Sequence, residues 1–482
     1  MKIHILAKEG LKINQFFPFF WRASMGSKPL KITVGTANLR PMWVVASILL
    51  VGALAMLIGG IVMQLVYHVY LAPLWVGIFA GILLSIPLEI WDFSNPDVII
   101  RAITLKDRLL MVCFGLVIGV GAILLYALNL FVPVLHWGIK AFFVPGVVIG
   151  GLLFGIGVAI AGYFPGTIWI ALGQGRRDAV YAVIGGLLGA LTWSLIFGQA
   201  RYFFWDTLNF GPITWPTLFG LTTKLDELIV AVVFGILMIS MWLFIPRRQG
   251  GKACVLHLTG RTKEVMPLED EISEFKEDYP KIPDYVIEAV SVQQPRSSRI
   301  IFALAFDFTL VAVAVIVLRQ IFGESTTYAW IWSQILYFIN PHWAASLPYF
   351  QLFGGLKIVN GVPVDKPFSE IGWEPLSDLG TFLGGLISSI FITRRFMAFK
   401  PWTPHIWRNR FGNTPGLRAL ASFIGAYLVL FGARMANGCA SGHILSGNLQ
   451  MAVSSFVFFM AVIVGAVITA YILYGLKPWT SR

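Results

Sequence analysis

One short stretch near the C-terminal end carries most of the side chains that could do chemistry. Residues Gly432 to His443 read GARMANGCASGH inside a long apolar run. They include four polar groups: the guanidinium of Arg434, the thiol of Cys439, the hydroxyl of Ser441 and the imidazole of His443. A charged side chain at the centre of a membrane helix costs about 3 kcal/mol even on insertion scales, so such clusters usually mark functional sites.

Glycines within and just after this stretch point to the same place. Gly438, Gly442 and Gly447 permit either close helix contact or a break in the helix. The backbone N–H groups freed by a break can face a bound anion. The stretch therefore predicts an intramembrane anion site.

Each ionisable or reactive group also has a structural interpretation. Cys439 is either a substrate contact or a small apolar packing residue. Arg434 either attracts an anion or forms half of a buried ion pair, for which Asp307, isolated in an apolar run, is the candidate partner; Asp307 could also handle protons. His443 either donates to an oxyanion and shuttles a proton, or satisfies a helix contact.

Hydroxyl groups near the motif have the same two interpretations. Ser441, Ser446 and Thr167 could replace the hydration shell of an anion with neutral donors. Hydroxyls in membrane helices also often bond only to the carbonyls of the preceding turn. Cys113 lies in an apolar span without polar neighbours, which favours packing.

Composition places the chain among polytopic membrane proteins. Of 482 residues, 57% are hydrophobic and only 12% are charged, far from the values of soluble domains. Segments of roughly 20 apolar residues, the length needed to span a bilayer, suggest ten spans. They begin near Trp43, Leu71, Leu109, Phe142, Ala179, Glu227, Ile300, Asp378, Leu417 and Gln450.

The distribution of Lys and Arg predicts the orientation of these spans. Basic residues cluster before the first span, between Arg247 and Arg299, and between Arg394 and Arg410, all on one predicted side. By the positive-inside rule this side is the cytoplasm, which places both termini on the cytoplasmic side. The net charge of +12 then reflects topology and attraction to anionic membrane lipids rather than nucleic-acid binding.

Four segments follow from this assignment. Residues 1–42 form a basic cytoplasmic segment, 43–246 the first transmembrane half, 247–299 a cytoplasmic linker and 300–476 the second half. Acidic residues in the middle of the linker suggest a solvated segment. Its Cys254 is either a functional thiol reachable from the cytoplasm or an incidental cysteine.

The aromatic stretch from Tyr328 to Phe353 is interrupted by Asn340, Pro341 and Pro348. A full span here would place the basic segment from Arg394 to Arg410 outside. We therefore predict an interfacial or re-entrant element on the outer side.

A related motif in the first half indicates an internal repeat. The run from Ala161 to Thr167 (AGYFPGT) follows a Gly-rich span, as the run from Ala436 to His443 does. The charge count gives the two motif spans opposite directions, so we predict inverted repeats with a midplane site where their interrupted helices meet.

The second motif, continued by ILSGN, closely resembles the GAR-x-A-x-GC-x-SGH-x-x-SG signature of the YeeE/YedE family of bacterial inner-membrane sulfur-compound transporters. Weaker resemblance runs over most of the membrane part, including Gly150–Gly157 and Asp378–Gly385. The resemblance implies transport of a small sulfur-containing anion such as thiosulfate, and association with sulfur-carrier proteins, for which Cys254 would be the sulfur-relay point.

The chain departs from the family pattern at two thiol positions. Phe164 stands where the family usually has a cysteine before the Pro-Gly-Thr turn, and the run from Trp91 to Ser94 lacks another. The family's relay along several cysteines would then depend on Cys439 alone, and Phe164 could plug the inner half of the path.

We therefore predict an all-α polytopic membrane protein of about ten helices in two inverted repeats, with short re-entrant or broken helices. Its predicted function is transport of a small sulfur-containing species through a site around Cys439. The alternative is a non-transporting membrane subunit that anchors or senses and binds partner proteins. An enzyme acting on a persulfide has less support, since no metal cluster, second thiol, paired base or cofactor motif accompanies Cys439.

Overall fold

Long apolar helices dominate the computed structural model. The structure describes residues 37–68, 72–132, 138–240, 268–290, 295–369 and 371–475. Within these ranges, eight helical spans are long and apolar enough to cross a membrane. The prediction of an all-α polytopic membrane protein is confirmed.

The helices follow one another in this order: α1 (Arg40–Leu65), α2 (Val76–Ile90), α3 (Pro96–Ile103), α4 (Leu109–Phe131), α5 (Val144–Ala161), α6 (Pro165–Gly173), α7 (Arg177–Arg201), α8 (Trp215–Leu218), α9 (Lys224–Ser240), α10 (Leu268–Asp278), α11 (Asp284–Val290), α12 (Pro295–Val317), α13 (Thr326–Ile339), α14 (Pro341–Ser346), α15 (Pro348–Phe353), α16 (Trp373–Ile387), α17 (His405–Phe411), α18 (Pro415–Met435) and α19 (Val453–Tyr474). Tyr202–Asp206, Ser388–Ile392 and Ala440–Gly447 are π-helical. Two short strands, β1 (Ile358–Val359) and β2 (Val362–Pro363), pair antiparallel.

Two of the predicted spans fall short of membrane length in the described residues. Helix α2 has 15 residues and α9 has 17. At 1.5 Å per residue both are shorter than the roughly 30 Å of a hydrocarbon core. A count of about ten spans therefore stays a prediction.

Glycines bring α5 and α18 into backbone contact. A Cβ atom on Gly150 would lie 2.6 Å from the carbonyl oxygen of Gly432, and one on Gly157 would lie 2.5 Å from that of Gly425. Because 150 faces 432 while 157 faces 425, the two helices run antiparallel. Such small-residue contacts are the usual way in which membrane helices approach closely.

Both sequence motifs interrupt a long helix. Helix α5 ends at Ala161, where Gly162 takes a left-handed φ of 69°, and α6 begins three residues later with Pro165. Helix α18 ends at Met435, Asn437 takes a φ of 56°, and the π-helix Ala440–Gly447 follows. Each motif therefore supplies a short helix that starts inside the protein.

The aromatic stretch from Tyr328 to Phe353 forms parts of three short helices, α13 to α15, which break at Asn340 and Leu347. Asn340 caps α14 by accepting from the N–H of Trp343 at 3.1 Å. None of the three is long enough to span a bilayer, as expected for this element.

The linker does not behave as a purely solvated segment. Its described part forms α10 and α11, and apolar side chains on and after α10 are buried: Ile272, Tyr279, Ile282, Val286 and Ile287. The acidic run is amphipathic. The number of charged residues describes only its polar face, so it did not reveal the apolar face. Cys254 lies outside the described residues.

Tyr279 docks the linker onto residues of the first half. Its hydroxyl donates to the Asp92 carboxylate at 3.0 Å and accepts from the guanidinium of Arg176. Arg101 forms an ion pair with Glu274 of α10 at 2.6 Å. Because these charged groups are buried, each of them needs a partner of opposite charge or a hydrogen bond.

The same linker also docks onto α17 of the second half. Asp278 lies 3.1 Å from Nε2 of His405 and 3.3 Å from the guanidinium of Arg408. Burial by itself lowers the pKa of His405, but the hydrogen bond and charge of Asp278, with the charge of Asp97, outweigh it and raise this pKa above its ordinary value.

Candidate substrate site at the two broken helices

Cys439 lies where the second broken helix begins. The residue is fully buried and has extended backbone geometry directly before the π-helix Ala440–Gly447. Its Sγ lies 3.1 Å from Oγ of Ser441. A thiol and a hydroxyl therefore stand side by side at a helix N-terminus, an arrangement that favours contact with a soft anion.

Phe164 brings the first motif to the same region. It lies directly before α6 and stacks on Phe154 with ring centroids 6.0 Å apart. Phe164, Ala440 and Ile444 line one apolar cleft that continues along α4 and α19. The residue in the place of a family cysteine thus faces the residues that follow Cys439.

Arg434 does not form the ion pair expected with Asp307. Its guanidinium donates to three hydroxyl groups: Oγ of Ser325 at 2.8 Å, Oγ1 of Thr326 at 3.0 Å, and the hydroxyl of Tyr349. All three acceptors are neutral, so the positive charge of Arg434 is held in place without being cancelled.

Asp307 lies on α12 and is buried. The adjacent Phe308 packs against Trp91 and Phe114, with centroids 6.2 and 6.5 Å apart. Oδ2 of Asp307 is buried without a hydrogen-bond partner in the described part of the chain. An isolated acidic residue in a sequence does not show which side of its helix faces the motif. The predicted ion pair between Arg434 and Asp307 was wrong for this reason.

His443 has both ring nitrogens engaged. Nδ1 lies 3.0 Å from Oγ of Ser455, and Nε2 lies 2.9 Å from the carbonyl oxygen of Ala436. A neutral ring satisfies both contacts, with Nε2 as donor and Nδ1 as acceptor. The ring also fills the space beside Gly438, where a Cβ atom would lie 2.6 Å from Cδ2. The geometry therefore favours a role for His443 in holding the helix break in place.

Two other predicted hydroxyls bond to backbone. Oγ of Ser446 accepts from the N–H of Phe322 at 3.1 Å. Oγ1 of Thr167 accepts from the N–H of Phe164 at 2.8 Å and stabilises the start of α6. Thr167 also donates to the carbonyl oxygen of Phe164 and so matches the structural interpretation. Ser446 instead joins its π-helix to a distant segment, whereas Ser441 lies against the thiol.

Glycines keep the remaining space of the second motif open. Lys140 lies beside Gly442, where a Cβ atom would stand 3.8 Å from its Cε. A Cβ atom on Gly447 would overlap with Oγ of Ser455. The π-helix Ala440–Gly447 can therefore approach α19 this closely only because residue 447 has no side chain.

Three buried or half-buried carboxyl groups near this site were not predicted: Glu324, Glu374 and Asp378. Glu324 and Asp378 are only 6% and 2% exposed. Glu374 accepts from the N–H of Thr326 at 2.9 Å, close to the anchor of Arg434. Isolated acidic residues between apolar runs were the available signal.

Comparison with known families agrees with this arrangement of helices and motifs. The model of the sulphur transport family matches residues 92–468 of this chain. The chain belongs to that family. The match covers both broken helices, and with the eight long apolar helices of the described residues it identifies this family member as a multi-pass membrane protein. None of the curated proteins matches the chain.

Proposed function

We propose that this member of the sulphur transport family carries a small sulfur-containing anion, such as thiosulfate, across the bacterial inner membrane. The site of passage is the junction of the two broken helices, and Cys439 is its central contact. Both termini and the linker lie on the cytoplasmic side in this proposal, following the bias of basic residues.

The observation that carries the proposal is the pair formed by Cys439 and Ser441 at 3.1 Å, at the start of a helix inside the membrane part. The thiol supplies a polarisable contact for sulfur, and the hydroxyl supplies a hydrogen bond for oxygen. Arg434, which is held by neutral hydroxyls, adds positive potential.

Flux into proteoliposomes tests this proposal. We expect radiolabelled thiosulfate, sulfite or sulfide to enter vesicles that contain the intact protein, and Cys439→Ala to reduce the rate at least tenfold. Cys113→Ala is the matched control, because this buried cysteine lies in α4 and is no part of the site. Equal rates for Cys439→Ala and the intact protein would reject the site.

Absence of flux for every sulfur species would instead favour the non-transporting membrane subunit. In that case a co-purifying partner, bound through the linker or the N-terminal segment, would be the next observation to seek. A cytoplasmic sulfur carrier and other membrane subunits are the partner classes that fit the family.

A further inference from the structure

Glu324 occupies the junction of the two broken helices. Its Oε2 lies against Gly166 in the first turn of α6, so closely that a Cβ atom on residue 166 would overlap with the carboxylate. Its Oε1 lies 3.5 Å from Oγ1 of Thr381, and Ser441 of the second motif lies close enough to this carboxylate to interact with it. One side chain therefore lies close to both motifs.

The surroundings of Glu324 do not neutralise it. The titratable groups that face it are Asp378 and Glu374 from α16 and Tyr328 from α13. In the described part of the chain no Lys, Arg or His lies within ion-pair distance of either Asp378 or Glu324. The nearby cation Lys140 faces Glu374, Arg434 and Cys439.

Asp378 adds a second unbalanced carboxyl group. In the part of the chain that the structure describes, both of its carboxyl oxygens are buried without a hydrogen-bond partner. Two acidic groups that share a buried region without a cation favour a state in which they hold a proton between them.

These contacts have a direct consequence for an incoming anion. The N-terminal turn of α6 and the hydroxyl of Ser441 are the groups that would bind an anion, and the chain's own carboxylate already lies against the first and close to the second. A second negative charge at the same place is strongly repelled in a medium of low dielectric constant. The site can accept an anion only when Glu324 is neutral or displaced.

We propose that Glu324 is a proton-dependent gate for the anion, and that a proton held by Glu324 and Asp378 accompanies each anion into the site. This inference rests on the proposed function. The carboxylate takes the proton from water on the side of uptake. It releases the proton to water on the other side after the anion leaves, so the gate returns to its charged, blocking state.

Two measurements on purified protein in detergent test the gate without requiring flux. The first is binding of radiolabelled thiosulfate at about pH 5.5 and about pH 8, which bracket the range in which buried carboxyl groups often titrate. We expect binding to be at least tenfold tighter at the lower pH for the intact protein, and to differ less than twofold for Glu324→Gln. Glu227→Gln, a control carboxyl group on α9 that binds Asn129, should behave like the intact protein.

The second measurement uses the intact protein alone, so it does not depend on the folding of a variant. Addition of thiosulfate to weakly buffered protein near neutral pH should remove about one proton from solution per bound anion. Binding without proton uptake, or the same pH dependence in Glu324→Gln as in the intact protein, would overturn the gate. Absence of thiosulfate binding by the intact protein would overturn it too.

Flux measurements separate this inference from the proposed function. Proton uptake on binding with no flux into vesicles would reject transport and retain the gate. A second outcome would retain transport and reject the gate. In that outcome Cys439→Ala lowers the rate of flux, but the pH dependence of flux is the same in Glu324→Gln as in the intact protein.

Discussion

The guanidinium of Arg434 donates to Oγ of Ser325 at 2.8 Å, across 109 residues of sequence. This bond and its neighbours join the end of α18 to the start of α13 and to α15. The charge of Arg434 is thus fixed by hydroxyls, and its position depends on the planar, multiple donors of a guanidinium.

Arg434→Lys should lower stability although it keeps the charge. Lysine cannot reach three hydroxyls at once, and the loss of hydrogen bonds from a buried charged group costs about 2 kcal/mol. Thermal unfolding in detergent measures the effect. Arg201→Lys is the control, since Arg201 and its partner Asp206 are 52% and 45% exposed, and exposed pairs contribute little. Equal melting temperatures for both variants would contradict this account.

Gly150→Ala should separate α5 from α18. The new methyl group would lie 2.6 Å from the carbonyl oxygen of Gly432, and overpacking of this kind costs about 1–3 kcal/mol. Gly59→Ala in α1 makes the same chemical change where nothing lies within 4 Å, and should leave stability unchanged or raise it by up to about 1 kcal/mol. The two melting temperatures, measured in the same detergent, check the prediction.

His443→Ala should act on structure more than on substrate affinity. It removes the contacts of the ring with Ser455 and Ala436, and unsatisfied buried groups cost about 1–3 kcal/mol each. Ser455→Ala should destabilise by a similar mechanism, and the double variant should lose less than the sum of the two.

The melting temperature and the KM of flux, measured on His443→Ala, together distinguish the two roles of His443. A positioning role predicts a lower melting temperature with an unchanged KM for the folded fraction. A raised KM at an unchanged melting temperature would instead identify His443 as a substrate contact.

Docking of the linker should weaken as pH rises. Asp278 raises the pKa of His405, so the charged imidazole stabilises the docked state fully below its ordinary pKa of about 6.5. This contribution disappears as pH rises through the raised value. Amide hydrogen exchange of residues 268–290, corrected for intrinsic rates, should therefore be slowest at the acidic end.

Substitution shows whether His405 is responsible. His405→Gln should make exchange in the linker independent of pH over this window, at the faster level. His342→Gln, an exposed control on α14, should keep the pH dependence of the intact protein. The same profile in His405→Gln would mean that other groups set it.

Sequence patterns anticipated the helices and the position of the two breaks, because apolar length and the residues Gly162, Pro165 and Asn437 act locally. The partners of the site side chains could not be predicted in this way. Glu324 and Ser441 are distant in the chain and meet only through packing. A search for opposite charges suggested Asp307 for Arg434, whereas the fold supplies hydroxyls.

The linker is fastened on one side to Asp92 and Arg101, which precede it, and on the other to His405 and Arg408, which follow it. A strap attached at both ends resists any movement that swings the two halves apart. Alternating access by rocking of whole halves would have to break at least one of these two sets of contacts in every cycle. Local movements at the broken helices would leave the strap intact, so engineered cross-links that fix the linker on both sides at once should permit continued turnover.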